Sequence, residues 1–399
     1  MSVVITGFGV CSPLGCSYEE SLEQIRAGTP CVDEIQNFST EGFPMKAAGE
    51  IRSARQVVKT ASSVDRRIHF LDRAISELLS NTQFNTRYAP EDLILNAGSG
   101  VDYVDLESLY IKGEYLNPPF EDLPSHYKTY AQILDLAEKH SLRGGCHVFV
   151  AACVASTQAI GLSYRMLKKG MKKAILTGGS ESMISYINYI GFYLLGAMAS
   201  GYPAPEACKP FDKRRNGTVL GEGAVVMLLE DSESAPKDKI LAEIAGYGST
   251  MDAYAVTDPD PSALRLSKAI EIALHEAGIG PDLIDCVHLH GTGTPKNAPA
   301  EYLALKRVFG SRVAELPVYS MKGQIGHLIA ACGAMEMLGV IYSIQNQVVL
   351  PTVNFRETDP EAPLYVIRDT PLHIPVRYVL KLNSAFGGEN TAIIIKKHE

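Results

Sequence analysis

Three residues of this chain combine a nucleophile with two imidazoles, each placed at the junction of a predicted strand and a loop. Cys153 separates the apolar run 148–152 from a helical pattern, His290 ends a second apolar run, and His327 follows a glycine loop. A thiol at a helix N-terminus faces unpaired N–H groups and the positive end of the helix dipole, so we expect a lowered pKa. These residues indicate a nucleophilic cysteine site at the carboxyl edge of a sheet, where ligands bind.

Other kinds of site fit these segments poorly. The GTG loop after His290 lacks the glycine spacing of a phosphate loop, so we reject a nucleotide site. We place His288 on the strand face opposite His290, which leaves no three-imidazole zinc site, and we expect no metal. Taken alone, Cys153 remains open to being a buried core thiol, and each histidine to being structural.

Alternating strands and helices are predicted to position these side chains, which indicates an α/β fold. Apolar runs that predict strands are Val3–Thr6, His147–Ala151, Lys173–Thr177, Ala224–Glu230, Val287–His290, Val318–Met321 and Thr391–Lys396. Patterns that predict helices are Ser156–Lys169, Pro261–Ala277, Ala298–Phe309 and Leu328–Gln345.

A short internal echo indicates two similar halves. The segments that begin at Val3 and Ile240 both read as a strand ending in Gly-aromatic-Gly. We therefore predict domains 1–235 and 236–399, joined near residue 235, with chance similarity as the alternative.

Composition bounds the class of protein. The chain has 399 residues, of which 46% are hydrophobic and 21% charged, as in globular proteins. Its net charge of -8 argues against nucleic-acid binding and, at first sight, against an acidic partner. The apolar stretches Ile187–Ala199 and Leu328–Ile344 are predicted to be core rather than membrane spans. With no secretory signal and no C-x-x-C pair among eight cysteines, we expect a cytoplasmic protein.

With Cys153, His290 and His327 in this order, the chain resembles the elongating β-ketoacyl-ACP synthases of the thiolase-like superfamily. The resemblance runs from Val3 to Lys396. The segments that carry it are ITGFGVCSPLG, VAACVASTQAIG, LTGGSES, KPFDKRRNGTVLGEGA, HLHGTGTP, SMKGQIGHLIAACGAME and AFGGEN. It implies a five-layered αβαβα fold of two thiolase-type halves. It also implies a homodimer, or a heterodimer with a related chain.

The resemblance also implies a decarboxylative condensation. Cys153 takes an acyl group as a thioester, and malonyl-acyl carrier protein then loses CO₂ and attacks it. Neutral His290 and His327 donate N–H groups to the enolate oxygen. No cofactor is implied beyond the phosphopantetheine arm of the carrier.

Further roles follow from the same motifs. Lys322 and its carboxylate partner Glu336 organise the site, and an unpaired Glu336 in an apolar helix would be costly. Backbone N–H groups of Cys153 and Phe386 form the oxyanion hole. Thr292 and Thr294 match residues that contact the malonyl or pantetheine portion.

The chain departs from the family pattern at two loops. The family loop reads N-S-F-G-F-G-G, and residues 383–388 read N-S-A-F-G-G here. Counting back from Gly387 and Gly388 puts Ser384 where an aromatic gate stands, whereas aligning Asn383 and Ser384 with N-S means that one residue is deleted. Either way the first Phe is absent. We expect Ser384 to contact substrate and the acyl chain to differ from a standard fatty acid. Ala298 replaces a common Asp, which puts the bracing of its loop in doubt. These changes favour polyketide or polyene biosynthesis over fatty acid synthesis.

Two matters stay open in the sequence. A non-catalytic partner of the chain-length-factor kind is the main alternative, although such partners typically lose the nucleophile retained here as Cys153. Acyl carrier proteins are acidic, so local basic patches must offset the net charge. The candidates for docking are Arg66 with Arg67, and the cluster Lys209, Lys213, Arg214 and Arg215.

Overall fold

The structure, a computed structural model, describes residues 2–52, 65–100 and 128–399. The strands of the first half are β1 (Val3–Cys11), β2 (Asp33–Glu34), β3 (Ala47–Gly49), β4 (Ile94–Ser99), β5 (Gly145–Val150), β6 (Ala174–Ser182) and β7 (Leu220–Asp231). Its helices are α1 (Tyr18–Ala27), α2 (Arg66–Thr82), α3 (Thr129–Lys139), α4 (Ala155–Lys168) and α5 (Tyr186–Leu194).

The second half begins after a short connection in which residue 235 lies. Its strands are β8 (Ala242–Met251), β9 (Cys286–His288), β10 (Pro317–Tyr319), β11 (Val348–Val349), β12 (Tyr365–Val366), β13 (Leu372–His373), β14 (Tyr378–Ser384) and β15 (Glu389–Lys396). Its helices are α6 (Leu264–Ala277), α7 (Asn297–Phe309), the short α8 (Lys322–Ile325) and α9 (Cys332–Asn346).

The two halves share one strand order. Apart from the short strands β2, β3, β11, β12 and β13, the first half runs β1-β7-β6-β4-β5 and the second half β8-β15-β14-β9-β10. The five strands of each half therefore lie side by side in the same order of first, fifth, fourth, second and third along the chain. The parallel and antiparallel pairings also correspond. The sheets join where β1 pairs with β8, from Val3 opposite Ile244 to Ile5 opposite Ala242. The fold is therefore built from two similar halves.

Helices lie on both sides of each sheet. Helix α2 packs on β1 and β7, and α6 packs on β8 and β15. Helices α4 and α9 lie between the sheets and pack against each other, so that the layers follow the order α, β, α, β, α. The strands β1 and β7 are buried along their whole length, as the apolar runs within them predict.

The Gly-aromatic-Gly echo has a steric explanation. A Cβ on Gly9 of β1 would lie 1.8 Å from the Ala74 oxygen of α2. A Cβ on Gly248 of β8 would likewise lie 2.0 Å from the Ala269 oxygen of α6. In each half, glycine lets the outer helix rest directly on the first strand. Within the described residues, none of the helices has the length and apolarity needed to cross a bilayer.

Candidate active site

Cys153 lies at the junction between β5 and α4. The chain leaves the strand at Val150, makes a single 3₁₀ turn over residues 152–154, and enters α4. Ala152 adopts φ +42°, a left-handed conformation that is strained for a residue with a side chain. The turn places the thiol in the interior between the halves, with 6% of Cys153 exposed.

His327 contacts this thiol directly. Its Nε2 lies 3.1 Å from Cys153 Sγ. Its Nδ1 accepts the backbone N–H of Ile329 at 3.2 Å, so the neutral ring carries its proton on Nε2. The imidazole thus points an N–H group at the sulfur, which is the donor arrangement that the sequence interpretation requires.

His290 has the same tautomer for a different reason. Its Nδ1 lies 3.4 Å from Lys322 Nζ and 3.3 Å from Asn383 Nδ2, both of which can only donate. The proton therefore resides on Nε2. The two imidazole rings lie 5.3 Å apart at 84°, and one ligand atom each of Cys153, His290 and His327 falls within 4.8 Å of the others.

Burial sets the protonation states at this centre. It lowers the pKa of both His290 and His327 well below the ordinary value, and the Lys322 ammonium lowers each further. Both rings are therefore neutral at pH 7.

Burial acts in the opposite direction on the thiol. It raises the pKa of Cys153 to about 12, although Lys322 and the Phe386 backbone N–H pull it down. The expected lowering of this pKa is wrong, because desolvation of the thiolate outweighs the stabilising effects of Lys322 and the Phe386 N–H.

Lys322 and Glu336 form a fully buried ion pair beside His290. Lys322 Nζ donates to Glu336 Oε1 and, at 2.6 Å, to the backbone oxygen of His290. The two lysines that face it, Lys322 and Lys381, hold the pKa of Glu336 below its usual range against the effect of burial. The structure thus brings together the ammonium, the carboxylate and the imidazole that the motif implied.

Residues that sequence reasoning missed complete this network. Lys381 Nζ lies 3.0 Å from Glu336 Oε2. Asn383 Nδ2 donates to the same oxygen at 2.8 Å. Both side chains are buried in β14. The sequence pattern does not reveal this, because polar residues that alternate with apolar ones, as in Lys-Leu-Asn-Ser, are typical of a strand whose polar side chains face solvent.

Glu301 and Asn297 brace the loop that follows His290. Glu301 accepts the backbone N–H groups of His290 at 2.6 Å and Gly291 at 3.0 Å, and burial raises its pKa to about 7. Asn297 Oδ1 accepts the N–H of Thr292 at 3.2 Å. The loop is therefore braced although Ala298, buried in α7, supplies no carboxylate.

The placement of His288 on the opposite strand face is wrong. Side chains alternate along a strand, so residues two apart share a face. His288 Nδ1 lies 4.0 Å from Glu336 Oε2, and neither ring nitrogen has a hydrogen-bond partner. Burial lowers the pKa of His288 to about 3, so its neutral ring borders the Glu336 cluster without adding charge to it.

The loop after β14 reaches the nucleophile through its backbone. The Phe386 N–H faces the Cys153 sulfur. Ser384 is half-buried at the end of β14, and its hydroxyl donates to Asn390 Oδ1 at 2.8 Å. The hydroxyl groups of Thr292 and Thr294 form a hydrogen bond of 2.8 Å in the loop after His290.

The candidate docking patches are largely structural ion pairs. Arg67 is buried against Asp65 and Glu181, and Arg66 pairs with the buried Glu222. Lys209 is buried as well, with Nζ 3.8 Å from the Tyr202 ring centroid.

The remaining basic residues of the second patch are also paired. Lys213 is exposed but pairs with Glu357 at 3.0 Å, while Arg214 and Arg215 pair with Asp212 and Asp359. The docking prediction is therefore wrong for Arg67 and Lys209, because buried cations already paired inside the fold present no charge to a partner.

Comparisons with known proteins agree with this geometry. The N-terminal domain of β-ketoacyl synthase matches residues 1–235, and its C-terminal domain matches residues 241–356. The chain is 32% identical to 3-oxoacyl-[acyl-carrier-protein] synthase 2 of Staphylococcus aureus (strain COL), over 100% of this chain and 98% of that protein. It is 31% identical to the synthase of the same name from Synechocystis sp., with the same coverage.

Solved structures that superpose on this chain are also ketosynthases. A type II PKS ketosynthase bound to a hexaketide, in complex with its acyl-carrier protein, superposes with a TM-score of 0.90 at 26% identity, covering 100% and 99% of the two chains. The ishigamide ketosynthase/chain length factor superposes with a TM-score of 0.88 at 27% identity and the same coverage. The chain belongs to the β-ketoacyl synthase family and is an acyltransferase with the thiolase-like fold.

Proposed function

We propose that the chain condenses an acyl thioester held on Cys153 with malonyl-acyl carrier protein, giving a 3-oxoacyl-carrier protein and CO₂. The observation that carries this proposal is the pair of imidazoles at the thiol. His290 and His327 both keep their proton on Nε2, because a donor occupies Nδ1 in each case. Two neutral N–H donors beside one sulfur suit a reaction that generates an enolate there.

In the first half-reaction the Cys153 thiolate attacks the carbonyl carbon of the acyl-carrier thioester. The new C–S bond replaces the bond to the carrier, whose thiol leaves with the proton that Cys153 lost. The N–H groups of Phe386 and Cys153 stabilise the tetrahedral oxyanion. Because the pKa of the thiol is high, Cys153 is protonated in the resting enzyme, and the thiolate forms only as the sulfur attacks.

In the second half-reaction the malonyl C–C bond breaks and CO₂ departs. The electron pair passes to the thioester enolate, whose oxygen accepts Nε2–H from His290 and His327. The carbanion then attacks the acyl-Cys153 carbonyl, a C–C bond forms, and the Cys153 thiolate leaves and takes up a proton from solvent to restore the resting thiol. Neutral imidazoles suit this step because each donates a hydrogen bond to the enolate oxygen without giving up its proton, whereas an imidazolium would protonate the enolate before it attacks.

The experiment incubates the chain with acyl-carrier and malonyl-carrier proteins. Intact-mass measurement is expected to find acyl-Cys153 first and then a carrier-bound chain two carbons longer. Cys153→Ala is the matched control and is expected to lose both signals. A Cys153→Ala variant that still condenses would overturn the mechanism.

We place the reaction in polyketide or polyene biosynthesis rather than in fatty acid synthesis. Two observations support this assignment. The type II PKS ketosynthase and the ishigamide ketosynthase/chain length factor superpose along the whole chain. Ser384 also stands where the family has an aromatic gate. Product analysis with the cognate carrier tests the assignment, and exclusive production of saturated fatty acyl chains would contradict it.

The second candidate is a non-catalytic partner that shapes the chain length made by another ketosynthase. It is favoured only by the structural neighbours that contain chain length factors. An intact Cys153–His327 contact opposes it. Mixing the Cys153→Ala variant with a candidate ketosynthase distinguishes the two functions. Full activity of that mixture would show that this chain is the non-catalytic subunit.

We also propose that the chain works as a dimer, with itself or with a related chain. The strand β5 lies at one end of the first sheet, and its outer edge pairs with none of the strands that the structure describes. Val150 on that strand is 44% exposed, as are Tyr130 and Leu134 of the neighbouring α3 to a similar extent. Such an edge favours pairing with another chain. Sedimentation analysis tests this, with Val150→Lys expected to weaken association.

A further inference from the structure

Lys381 places a second ammonium on the carboxylate that serves the active site. Its side chain is fully buried in β14, where Nζ lies 3.0 Å from Glu336 Oε2. Glu336 Oε1 already binds Lys322. One carboxylate therefore faces two buried lysines. Burial lowers the pKa of Lys381, whereas the Glu336 carboxylate opposes that shift and favours the ammonium form.

Lys381 also acts on the amide of Asn383. It donates to Asn383 Oδ1, which accepts Thr157 Oγ1 as well, at 2.8 Å. With its oxygen engaged twice, the amide turns Nδ2 toward Glu336 Oε2 at 2.8 Å and His290 Nδ1 at 3.3 Å. An amide nitrogen only donates, so this contact requires an unprotonated Nδ1 on His290.

We propose that Lys381 is a positioning residue for the second half-reaction. Through Glu336 and Asn383 its ammonium holds the Nε2–H of His290 toward the substrate and keeps that imidazole from becoming a cation. The inference rests on the proposed role of His290 as a donor to the enolate. It goes beyond the Lys322–Glu336 pair, which the family motif supplies, because Lys381 lies outside that motif.

Charged and titratable groups approach His290 from every side. Lys381 and Lys322 disfavour its protonation, whereas Glu336 favours it. The groups that face the ring or its backbone are Cys153, His327, Lys322, Glu336, Lys381 and Glu301. His288 borders the same carboxylate. Removing Lys381 subtracts one positive charge from this set, so the imidazolium form of His290 becomes easier to populate and its pKa rises.

The two half-reactions separate this role from a merely structural one. Acylation of Cys153 does not need the enolate donor, whereas CO₂ release from malonyl-carrier does. For Lys381→Met we expect acylation within about threefold of wild type and CO₂ release at pH 7 lowered at least about tenfold. The acid limb of CO₂ release should move upward but stay below the ordinary histidine pKa of ~6.5, because burial and Lys322 still lower the pKa of His290 in the variant.

Two further variants keep the test sharp. Lys381→Gln retains a polar end without the charge, and it decides the question if the methionine variant does not fold, with the same shift of the acid limb expected. Lys209→Met is the matched control, since it removes a buried ammonium that contacts Tyr202 instead of Glu336. It should leave the acid limb in place.

Distinct results would overturn the inference. They are equal loss of both half-reactions in folded Lys381→Met, or a CO₂-release profile that keeps its acid limb in both Lys381 variants. Failure of the proposed function differs from either, because wild type itself would then release no CO₂ and extend no chain.

Discussion

Gly333 of α9 approaches Thr157 of α4 so closely that a Cβ on the glycine would lie 2.1 Å from Thr157 Oγ1. The two helices come from different halves of the chain. Helix α4 begins just after Cys153, and α9 carries Glu336. This contact therefore sets the spacing between the nucleophile and the charge network behind His290.

Substituting Gly333→Ala is expected to destabilise the protein by about 1–3 kcal/mol, because the methyl group overpacks a helix contact that cannot widen freely. Denaturant unfolding measures the loss. Gly191→Ala is the control, since Gly191 lies in α5 with open space where a Cβ would go. Equal free energies of unfolding for the two variants would contradict the steric argument.

Alkylation of Cys153 should rise steeply with pH. A thiol whose pKa is raised to about 12 is mostly protonated at neutral pH, and its thiolate fraction grows about tenfold per pH unit below that pKa. Iodoacetamide labelling of the Cys153 peptide is therefore expected to accelerate about 100-fold between pH 7 and 9. A rate that levels off by pH 8 would indicate the lowered pKa that the helix N-terminus alone predicts.

Restoring an aromatic ring at Ser384 should alter acyl selectivity. A Ser384→Phe side chain adds bulk to the loop that reaches Cys153, and it loses the hydrogen bond to Asn390. We expect the ratio of kcat/KM for octanoyl- and hexadecanoyl-carrier to change about tenfold. Ser384→Ala removes the same hydrogen bond without the bulk and should keep the wild-type ratio. Unchanged selectivity in the phenylalanine variant would contradict the hypothesis that the missing aromatic gate determines which acyl chains are accepted.

Charge reversal at Arg67 should affect folding rather than carrier binding. Arg67 lies buried against Asp65 and Glu181, so Arg67→Glu sets a third carboxylate beside these two and is expected to cost about 3–5 kcal/mol. The readout is the thermal midpoint. Lys213→Glu, at an exposed position, should change it little. A stable Arg67→Glu protein with a raised KM for the carrier would reinstate this residue as a docking contact.

Local patterns predicted the elements that carry the chemistry. The helix expected over 156–169 spans Ala155–Lys168, and the strand expected over 147–151 spans Gly145–Val150. The helix expected from Leu328 begins at Cys332, because Ile329 takes φ +43° and interrupts the start. The strand β4 was missed since Asn and small residues replace its β-branched run.

The charge network was beyond local patterns. Lys381 meets its carboxylate partner from 45 positions away in the chain, and Glu301 braces a backbone that precedes it. The direction of the Cys153 pKa shift also depends on burial between two halves, which no single segment reveals. Local context therefore singled out Cys153, His290 and His327, which the structure brings together, but it did not identify the groups that hold them in place.

The division of the site between two halves has a consequence for synthesis. Cys153 leaves the ribosome well before His290, His327 and Phe386, and the strands β14 and β15 come last. A nascent first half therefore carries Cys153 without the two imidazoles and the Phe386 N–H that lie beside it in the folded chain. The pair of imidazoles and the Phe386 N–H come together at the thiol only once β14 has paired with β9 and β15 with β8, so the site depends on the folding of both halves.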